Sequence, residues 1–333
     1  MFILGLECIR EGASSFRDHV APDGRGGDLR SFGLGWIFAE LSLSGSPIAG
    51  LALGFLHGGV LSATECFSMI MGSRVGASFV VLAVGAFYDV RARHASGGMY
   101  VGTIAFITTA TVYLPAWGLG YLCLRSGIFA DLSPTGGGAV LSFIAVIVGP
   151  VVDGLAAALP PWALVLGGIG LLLGAFKLFD AILPPLDPTG GFLGRMATTI
   201  FRPSIAFVFG MLVTTITLSV SVSLTLLVPL TVRGVVRREN IIPFVLGANI
   251  TTFVDTALAS IVIRHQDAFV IVLCAAAAVS VISVPIVLFA YRPYERLVDR
   301  SASWITRGKR RTIVFVASLF IVPILLIVVG SFA

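Results

Sequence analysis

The chain has 333 residues, of which 57% are hydrophobic and only 12% are charged. Soluble domains carry about 25% charged residues, so this chain lacks the polar surface that water requires, and we expect it to cross the cell membrane several times with lipid as its solvent. Its net charge of +5 comes from basic residues in short loops between apolar runs, which excludes a nucleic-acid-binding surface. The four cysteines lie far apart, without metal or redox spacing.

Apolar runs long enough to cross a bilayer recur along the chain. A transmembrane helix needs about 20 apolar residues. Runs of this length without interruption are 99–124, 161–183, 267–291 and 312–332. Two more, 64–88 and 239–263, are long enough but contain glycine-rich stretches at 72–78 and 247–253, which we interpret as breaks in the helix. The sequence therefore predicts an all-α integral membrane protein.

Two segments of the chain match each other at a constant spacing. Residues 32–72 align without a gap with residues 207–247, 175 positions further on. Matched positions include Phe32/Phe207, Gly35/Gly210, Leu43-Ser44/Leu218-Ser219, Ser46/Ser221 and Gly72/Gly247. Duplicated halves with apolar segments interrupted by Gly and Ser are typical of secondary transporters. We predict a first repeat over 1–137, a connecting segment over 138–160 and a second repeat over 161–333.

Each repeat also contains a pair of short apolar arms. Residues 32–43 and 206–217 are too short to cross a bilayer, and both end at serines. This pattern predicts two re-entrant hairpins, 32–62 and 206–236, with their tips at mid-membrane. Irregular backbone cannot face lipid, so the tips must face protein or a wet cavity. The alternative is one long helix that carries Gly and Ser on a packing face.

The distribution of basic residues predicts the orientation of the two repeats. The segment 292–311, interpreted as a loop, holds seven basic residues against two acidic ones, and such segments face the cytoplasm. In the loop 9–31, basic and acidic residues balance, which favours the opposite side. Counting the crossings between these loops gives repeats of opposite, inverted orientation.

In both halves a serine motif precedes a glycine-rich motif. The second half reads Leu218-Ser219-Val220-Ser221 and then Gly247-Ala248-Asn249-Ile250-Thr251-Thr252, whereas the first reads Leu43-Ser44-Gly45-Ser46 and then Gly72-Ser73-Arg74. This arrangement resembles the sodium-dependent phosphate cotransporter family (type II, bacterial). The resemblance implies sodium-coupled phosphate symport by alternating access. It implies no enzyme activity and no cofactor beyond bound sodium.

Hydroxyls and freed backbone groups at a hairpin tip can replace the water around a small ion. Carbonyl and hydroxyl oxygens suit sodium, and N–H groups at helix starts suit an anion. The candidate ligands are Ser44, Ser46, Ser73, Arg74, Ser219, Ser221, Ser223, Asn249, Thr251 and Thr252. An isolated serine in a membrane helix usually bonds to its own helix, but here the serines cluster at duplicated positions.

The chain departs from the family pattern at three positions. Leu43 and Leu218 stand where the family has glutamine, and Arg74 stands where the second repeat has Asn249. Arginine at mid-membrane is costly and marks a functional site by default. Its planar fork suits an oxyanion, its charge suits the place of a sodium ion, and an ion pair with Glu40 is a third interpretation.

Other functions remain open at this stage. Asp255 is a further carboxylate within an apolar run, suited to relay protons, to bind a cation or to pair within the structure. The carrier could be proton-coupled or uncoupled. An intramembrane enzyme resembling lipid-pyrophosphate phosphatases would use duplicated Glu, Arg and Ser, but the second repeat has Thr215 in place of Glu40. A transport-inactive relative would have its site sealed by a Glu40–Arg74 pair.

Overall fold

The computed structural model describes residues 1–14, 27–91, 97–129, 132, 138–182, 203–232, 236–263 and 265–332, with the backbone alone at 138–147, 179–182 and 266. The regular structure in these ranges is helical throughout. The helices of the first half are α1 (Phe2–Ser14), α2 (Gly27–Ser42), α3 (Ser46–His57), α4 (Ala63–Ala77), α5 (Phe79–Arg91) and α6 (Gly98–Ser126). Next come α7 (Gly138–Ala158) and α8 (Pro161–Ile182). The remaining α-helices are α9 (Pro203–Thr217), α10 (Val220–Thr225), α11 (Leu227–Val232), α12 (Ile241–Thr251), α13 (Phe253–Ile263), α14 (Gln266–Phe289), α15 (Tyr291–Thr306) and α16 (Lys309–Phe332).

Six helical segments within the described residues are long and apolar enough to cross a membrane. They are Ala63–Arg91, Gly98–Ser126, Pro161–Leu178, Arg238–Ile263, Asp267–Phe289 and Lys309–Phe332. They coincide with the six runs predicted from the sequence. The expectation of an all-α, multi-pass membrane protein is thereby confirmed.

The predicted breaks at 72–78 and 247–253 are wrong in extent. Helix α4 continues through Ala77 and is interrupted only at Ser78, while α12 continues through Thr251 and is interrupted only at Thr252. At Ser78 the N–H bonds to the carbonyl of Val75, three residues back, at 3.2 Å. The glycines of these stretches therefore serve a purpose other than unwinding the helix.

That purpose is close packing between helices. A Cβ on Gly72 would lie 2.0 Å from the carbonyl oxygen of Phe32, and one on Gly247 would lie 2.0 Å from that of Phe207. Glycine is required at such crossings because only hydrogen fits between the backbones. Helix α2 thus packs on α4 as α9 packs on α12.

A second glycine of each repeat makes a matching contact. A Cβ on Gly35 would lie 2.1 Å from the carbonyl oxygen of Met69, and one on Gly210 would lie 2.1 Å from that of Phe244. Both pairs of contacts follow the 175-residue spacing of the sequence repeat. The repeat is therefore also a repeat of local geometry.

The chain turns sharply after α2 and after α9. Leu43 has φ 53° and Leu218 has φ 48°, and within the described residues they are the only residues other than glycine with positive φ. After α2, the N–H of Ser44 bonds to the carbonyl of Ala39 at 3.1 Å and that of Leu43 to Glu40 at 3.2 Å. This is the Schellman pattern, in which a left-handed residue ends the helix. Leucine there costs about 1–2 kcal/mol relative to its right-handed conformation.

The second arm of each helix–turn–helix unit packs against the other half of the chain. Helix α3 contacts α13, and α10 and α11 contact α5. At the 175-residue spacing, α3 corresponds to α10–α11, and α5 corresponds to α13. The two halves therefore exchange equivalent arms.

The interpretation of 292–311 as a loop is wrong for most of its length. Helix α15 occupies Tyr291–Thr306 and packs against α6, where it buries Val298 and Ala302. Its apolar residues recur at helical spacing and its arginines lie between them, as in an amphipathic helix at a membrane surface. The same segment of sequence thus carries two signals, the amphipathic spacing that is typical of a helix and the many arginines that indicate a cytoplasmic side.

Adding one methyl group at a crossing glycine should destabilise the fold. Gly72→Ala and Gly247→Ala each place a Cβ 2.0 Å from a carbonyl oxygen, so each should cost about 1–3 kcal/mol or more and lower the unfolding temperature of the purified protein in detergent. Gly118→Ala in α6 is the matched control, because nothing lies within 4 Å of its Cβ position. A larger loss at Gly118 than at Gly72 and Gly247 would contradict this packing.

Candidate functional site

The two turns line one cavity of about 170 Å³. Ser44 and Ser46 come from the first turn, and Thr217, Leu218 and Ser219 come from the second. The rest of its wall comes from α1, α8 and α13 and consists of Phe2, Phe176, Asp255, Leu258, Ala259 and Val262. The lining is mostly apolar. We call the residues from the two turns, most of which carry hydroxyl groups, its hydroxyl side and the apolar residues from α1, α8 and α13 its apolar side; Asp255 is the one carboxylate among the described lining residues.

The serine hydroxyls of the two turns differ in what they bond. Ser219 caps α10, since its Oγ accepts from the N–H of Val222 at 3.3 Å. Ser44 is half-buried, and Ser46 is buried at the start of α3. Among the described residues, no side chain bonds to the hydroxyl of Ser44 or of Ser46. These two hydroxyls are available to a solute in the cavity.

Arg74 is one of the largest fully buried side chains in the described structure. Its Nη1 donates to Thr252 Oγ1 at 3.2 Å. Its Nη2 donates to Asp255 Oδ1 at 3.3 Å and to the hydroxyl of Thr256. The guanidinium also lies 5.4 Å from the ring centre of Phe253. All of these partners belong to the second half of the chain.

Arg74 therefore does not pair with Glu40, which was one of the interpretations that the sequence allowed. Glu40 is buried, and its Oε1 accepts from Trp36 Nε1 at 2.7 Å, while its Oε2 has no hydrogen-bond partner within the described ranges. Arg74 points from α4 towards α13, where Asp255 supplies the opposite charge. The sequence placed two carboxylates within reach of this arginine, and the packing of α4 selects the one that is 181 residues away.

Asp255 uses its two oxygens differently. Oδ1 accepts from Arg74, from the N–H of Thr256 at 2.5 Å and from its hydroxyl at 2.8 Å. Oδ2 is buried and has no hydrogen-bond partner among the described residues, although Asp255 lines the cavity. The carboxylate is thus half satisfied, and the unsatisfied oxygen belongs to the residue that borders the hydroxyl-rich side.

Two other predicted ligands bond within the helical framework. Ser73 Oγ donates to the carbonyl of Ile70 in its own helix at 2.7 Å. Ser223 Oγ accepts from Thr214 Oγ1 at 2.7 Å. Neither lines the cavity, and Ser221 does not line it either.

The Asn249 motif likewise holds helices together in this structure. The side-chain amide of Asn249 lies 3.4–3.5 Å from the hydroxyl of Thr109. The backbone carbonyl of Asn249 accepts a hydrogen bond from the hydroxyl of Tyr113 at 2.8 Å. Thr251 Oγ1 donates to the carbonyl of Met211 at 3.1 Å. Thr252 serves as an acceptor for Arg74. These side chains support the site without lining it.

Sequence reasoning missed Thr256 and Thr217. Thr256 bonds to both members of the Arg74–Asp255 pair, and the only signal for it was its position beside Asp255. Thr217 immediately precedes the second turn and lines the cavity. Within the described residues, no group of three or more His, Cys, Asp or Glu side chains could hold a metal ion.

Comparison with protein-family models, with curated proteins and with solved structures finds no match to this chain. The assignment of a function therefore depends on the chain's own residues and geometry.

Variants that remove a charge distinguish Asp255 from Glu40 as the partner of Arg74. Arg74→Gln leaves Asp255 buried without its counter-charge and should cost about 3–5 kcal/mol, whereas the double variant Arg74→Gln/Asp255→Asn should recover much of that loss. Glu40→Gln, the matched control, keeps the acceptor for Trp36 and should cost far less. Thermal unfolding of the four proteins measures these differences. Equal losses in Arg74→Gln and Glu40→Gln, without recovery in the double variant, would contradict the pairing.

Proposed function

We propose that this protein is a secondary transporter of a small inorganic oxyanion, phosphate first, coupled to a cation, and that the cavity between the two turns is its solute site. The observation that carries the proposal is the convergence of Ser44, Ser46 and Ser219 on one cavity from two turns with the same left-handed leucine. Strained backbone of this kind clusters at functional sites.

The lengths of the arms support re-entrant hairpins. Helix α2 has 16 residues and α9 has 15, which correspond to about 24 Å and 22 Å at 1.5 Å per residue. Both are shorter than the hydrocarbon core of about 30 Å. We infer that the arms meet at mid-membrane and that the two repeats, which exchange equivalent arms, have inverted orientations. Solute sites of repeat transporters lie at such an interface.

The lining of the cavity suits a small ion in both of its parts. The hydroxyl side supplies oxygen ligands and donors without fixed charge, and Asp255 supplies one negative charge beside Arg74. The apolar side includes Phe2, Phe176 and Leu258, and apolar walls of this kind lower the local dielectric and strengthen electrostatic interactions beside them. Sodium is the proposed coupling ion, and proton coupling or uncoupled transport are the alternatives.

The arrangement favours transport over an intramembrane phosphatase. Such an enzyme needs a carboxylate free to move protons beside the phosphate. Glu40 is absent from the residues that line the cavity, and Asp255 is bound to Arg74. The described part of the cavity wall thus supplies binding groups without an acid–base pair.

Uptake of labelled phosphate into liposomes that hold the purified protein tests the proposal. We expect uptake that rises when an inward sodium gradient is imposed. Ser44→Ala, Ser46→Ala and Ser219→Ala should each weaken it, since one lost hydrogen bond of about 1 kcal/mol corresponds to roughly fivefold in affinity. Ser280→Ala is the matched control, because this serine bonds only to its own helix.

Two outcomes would count against the proposal. Phosphate uptake that ignores sodium would refute sodium coupling and leave the oxyanion carrier standing. No uptake of phosphate, sulfate or arsenate above that of empty liposomes would refute the oxyanion carrier itself.

A further inference from the structure

Arg74 and Asp255 form an ion pair in the described structure. Both terminal nitrogens of Arg74 donate to Thr252, Asp255 or Thr256. The charge of the guanidinium is therefore balanced by Asp255. Its two terminal nitrogens already donate to side chains and are not both free to bind an oxyanion. Since bidentate binding needs two parallel N–H donors, Arg74 is masked as an anion ligand in this state.

Both members of the pair nevertheless keep an unsatisfied atom. Asp255 Oδ2 and Arg74 Nε are buried and have no hydrogen-bond partner in the part of the chain that the structure describes. The side chain of Asp255 is 7% exposed, and the residue lines the same cavity as Ser44, Ser46 and Ser219. A buried, half-satisfied polar pair is a costly arrangement, and a ligand that satisfies the free carboxylate oxygen relieves it.

Arg74 also lies next to the turn that carries the free serine hydroxyls. A Cβ built on Gly45 would lie 3.5 Å from Arg74 Nη1, and Gly45 stands between Ser44 and Ser46. The guanidinium is thus close to the hydroxyl side of the cavity without being part of its lining. Releasing the bond to Asp255 would leave this group beside the solute.

We propose that the Arg74–Asp255 pair is a charge-exchange lock that couples the two solutes. A monovalent metal cation binds Asp255 Oδ2 and the serine hydroxyls of the turns, neutralises the carboxylate and frees Arg74 to bind the oxyanion. The anion then binds only after the cation. This inference rests on the proposed function and names the residues through which its coupling works.

The ligand set indicates a monovalent cation. One carboxylate and neutral hydroxyl oxygens balance a single positive charge, whereas divalent ions are held by more carboxylates or by many more oxygens. Within the described residues, no cluster of three acidic, His or Cys side chains exists. With the cation on Asp255, the freed arginine supplies the positive charge that the anion needs.

Binding of labelled inorganic phosphate to the full-length protein in nanodiscs tests the lock. Wild-type protein should bind phosphate roughly 5- to 150-fold more tightly in sodium chloride than in choline chloride at the same pH and ionic strength, the usual range of coupling between two sites. Asp255→Asn should bind phosphate equally well in both salts. Asp267→Asn is the matched control, an exposed carboxylate of the same half, and should keep the wild-type sodium dependence.

A gentler variant keeps the test decisive if Asp255→Asn does not fold. Thr256→Val removes the hydroxyl that bonds to both members of the pair and leaves both charges in place. It should lower the sodium concentration needed for half-maximal phosphate binding. Thr215→Val, whose hydroxyl bonds only within its own helix, should not. An unchanged sodium requirement in Thr256→Val would overturn the lock.

Binding of labelled sodium without any phosphate separates this inference from the proposed function. Arg74→Gln exposes Asp255 to the cation and should bind sodium more tightly than the wild type, whatever the transported anion is. Failure of phosphate binding in every protein, with this gain in sodium affinity present, would refute phosphate as substrate and support the lock. No gain in Arg74→Gln, or sodium-dependent phosphate binding in Asp255→Asn, would overturn the lock.

Discussion

A guanidinium buried among apolar helices must be compensated, and this constraint joins the two halves of the protein. Arg74 projects from the first half of the chain. Its hydrogen-bond partners among the described residues are Thr252, Asp255 and Thr256, which belong to the second half. Leaving that charge unpaired would cost about 2.5–3.5 kcal/mol even on the milder membrane-insertion scale. The same side-chain contacts link α4 to α13, and their acidic member, Asp255, lines the cavity.

Two kinds of backbone detail support this contact. Crossing glycines such as Gly72 and Gly247 bring each first arm so close to its neighbouring helix that no side chain fits. The left-handed residues Leu43 and Leu218 then end the arms sharply and present the serines that follow. Each strained turn thus follows an arm that a tight crossing holds in place. The cavity is therefore a consequence of how the repeats pack.

The sequence predicted the six spans and the spacing of the repeat, because apolar length and a constant register are local signals. The prediction that the glycines at 72 and 247 unwind their helices was wrong, since glycine permits both an unwound helix and a close contact between two helices. Local sequence patterns also could not identify the residue with which Arg74 pairs. Glu40 is closer in sequence, but the direction in which the Arg74 side chain points brings the guanidinium to the distant Asp255. Tertiary packing likewise decides that Ser73, Ser223 and Asn249 bond to other groups of the helices and do not line the cavity.

The two serine turns line one cavity, and cross-linking tests their proximity directly. Ser44→Cys and Ser219→Cys are introduced together into protein whose four native cysteines are replaced, and a short bifunctional thiol reagent is added in nanodiscs. Mass spectrometry of the digested protein should then show a link between the two peptides, whereas the pair Ser44→Cys and Ser126→Cys should give none. Efficient labelling of both turn cysteines without any link between them would contradict the account.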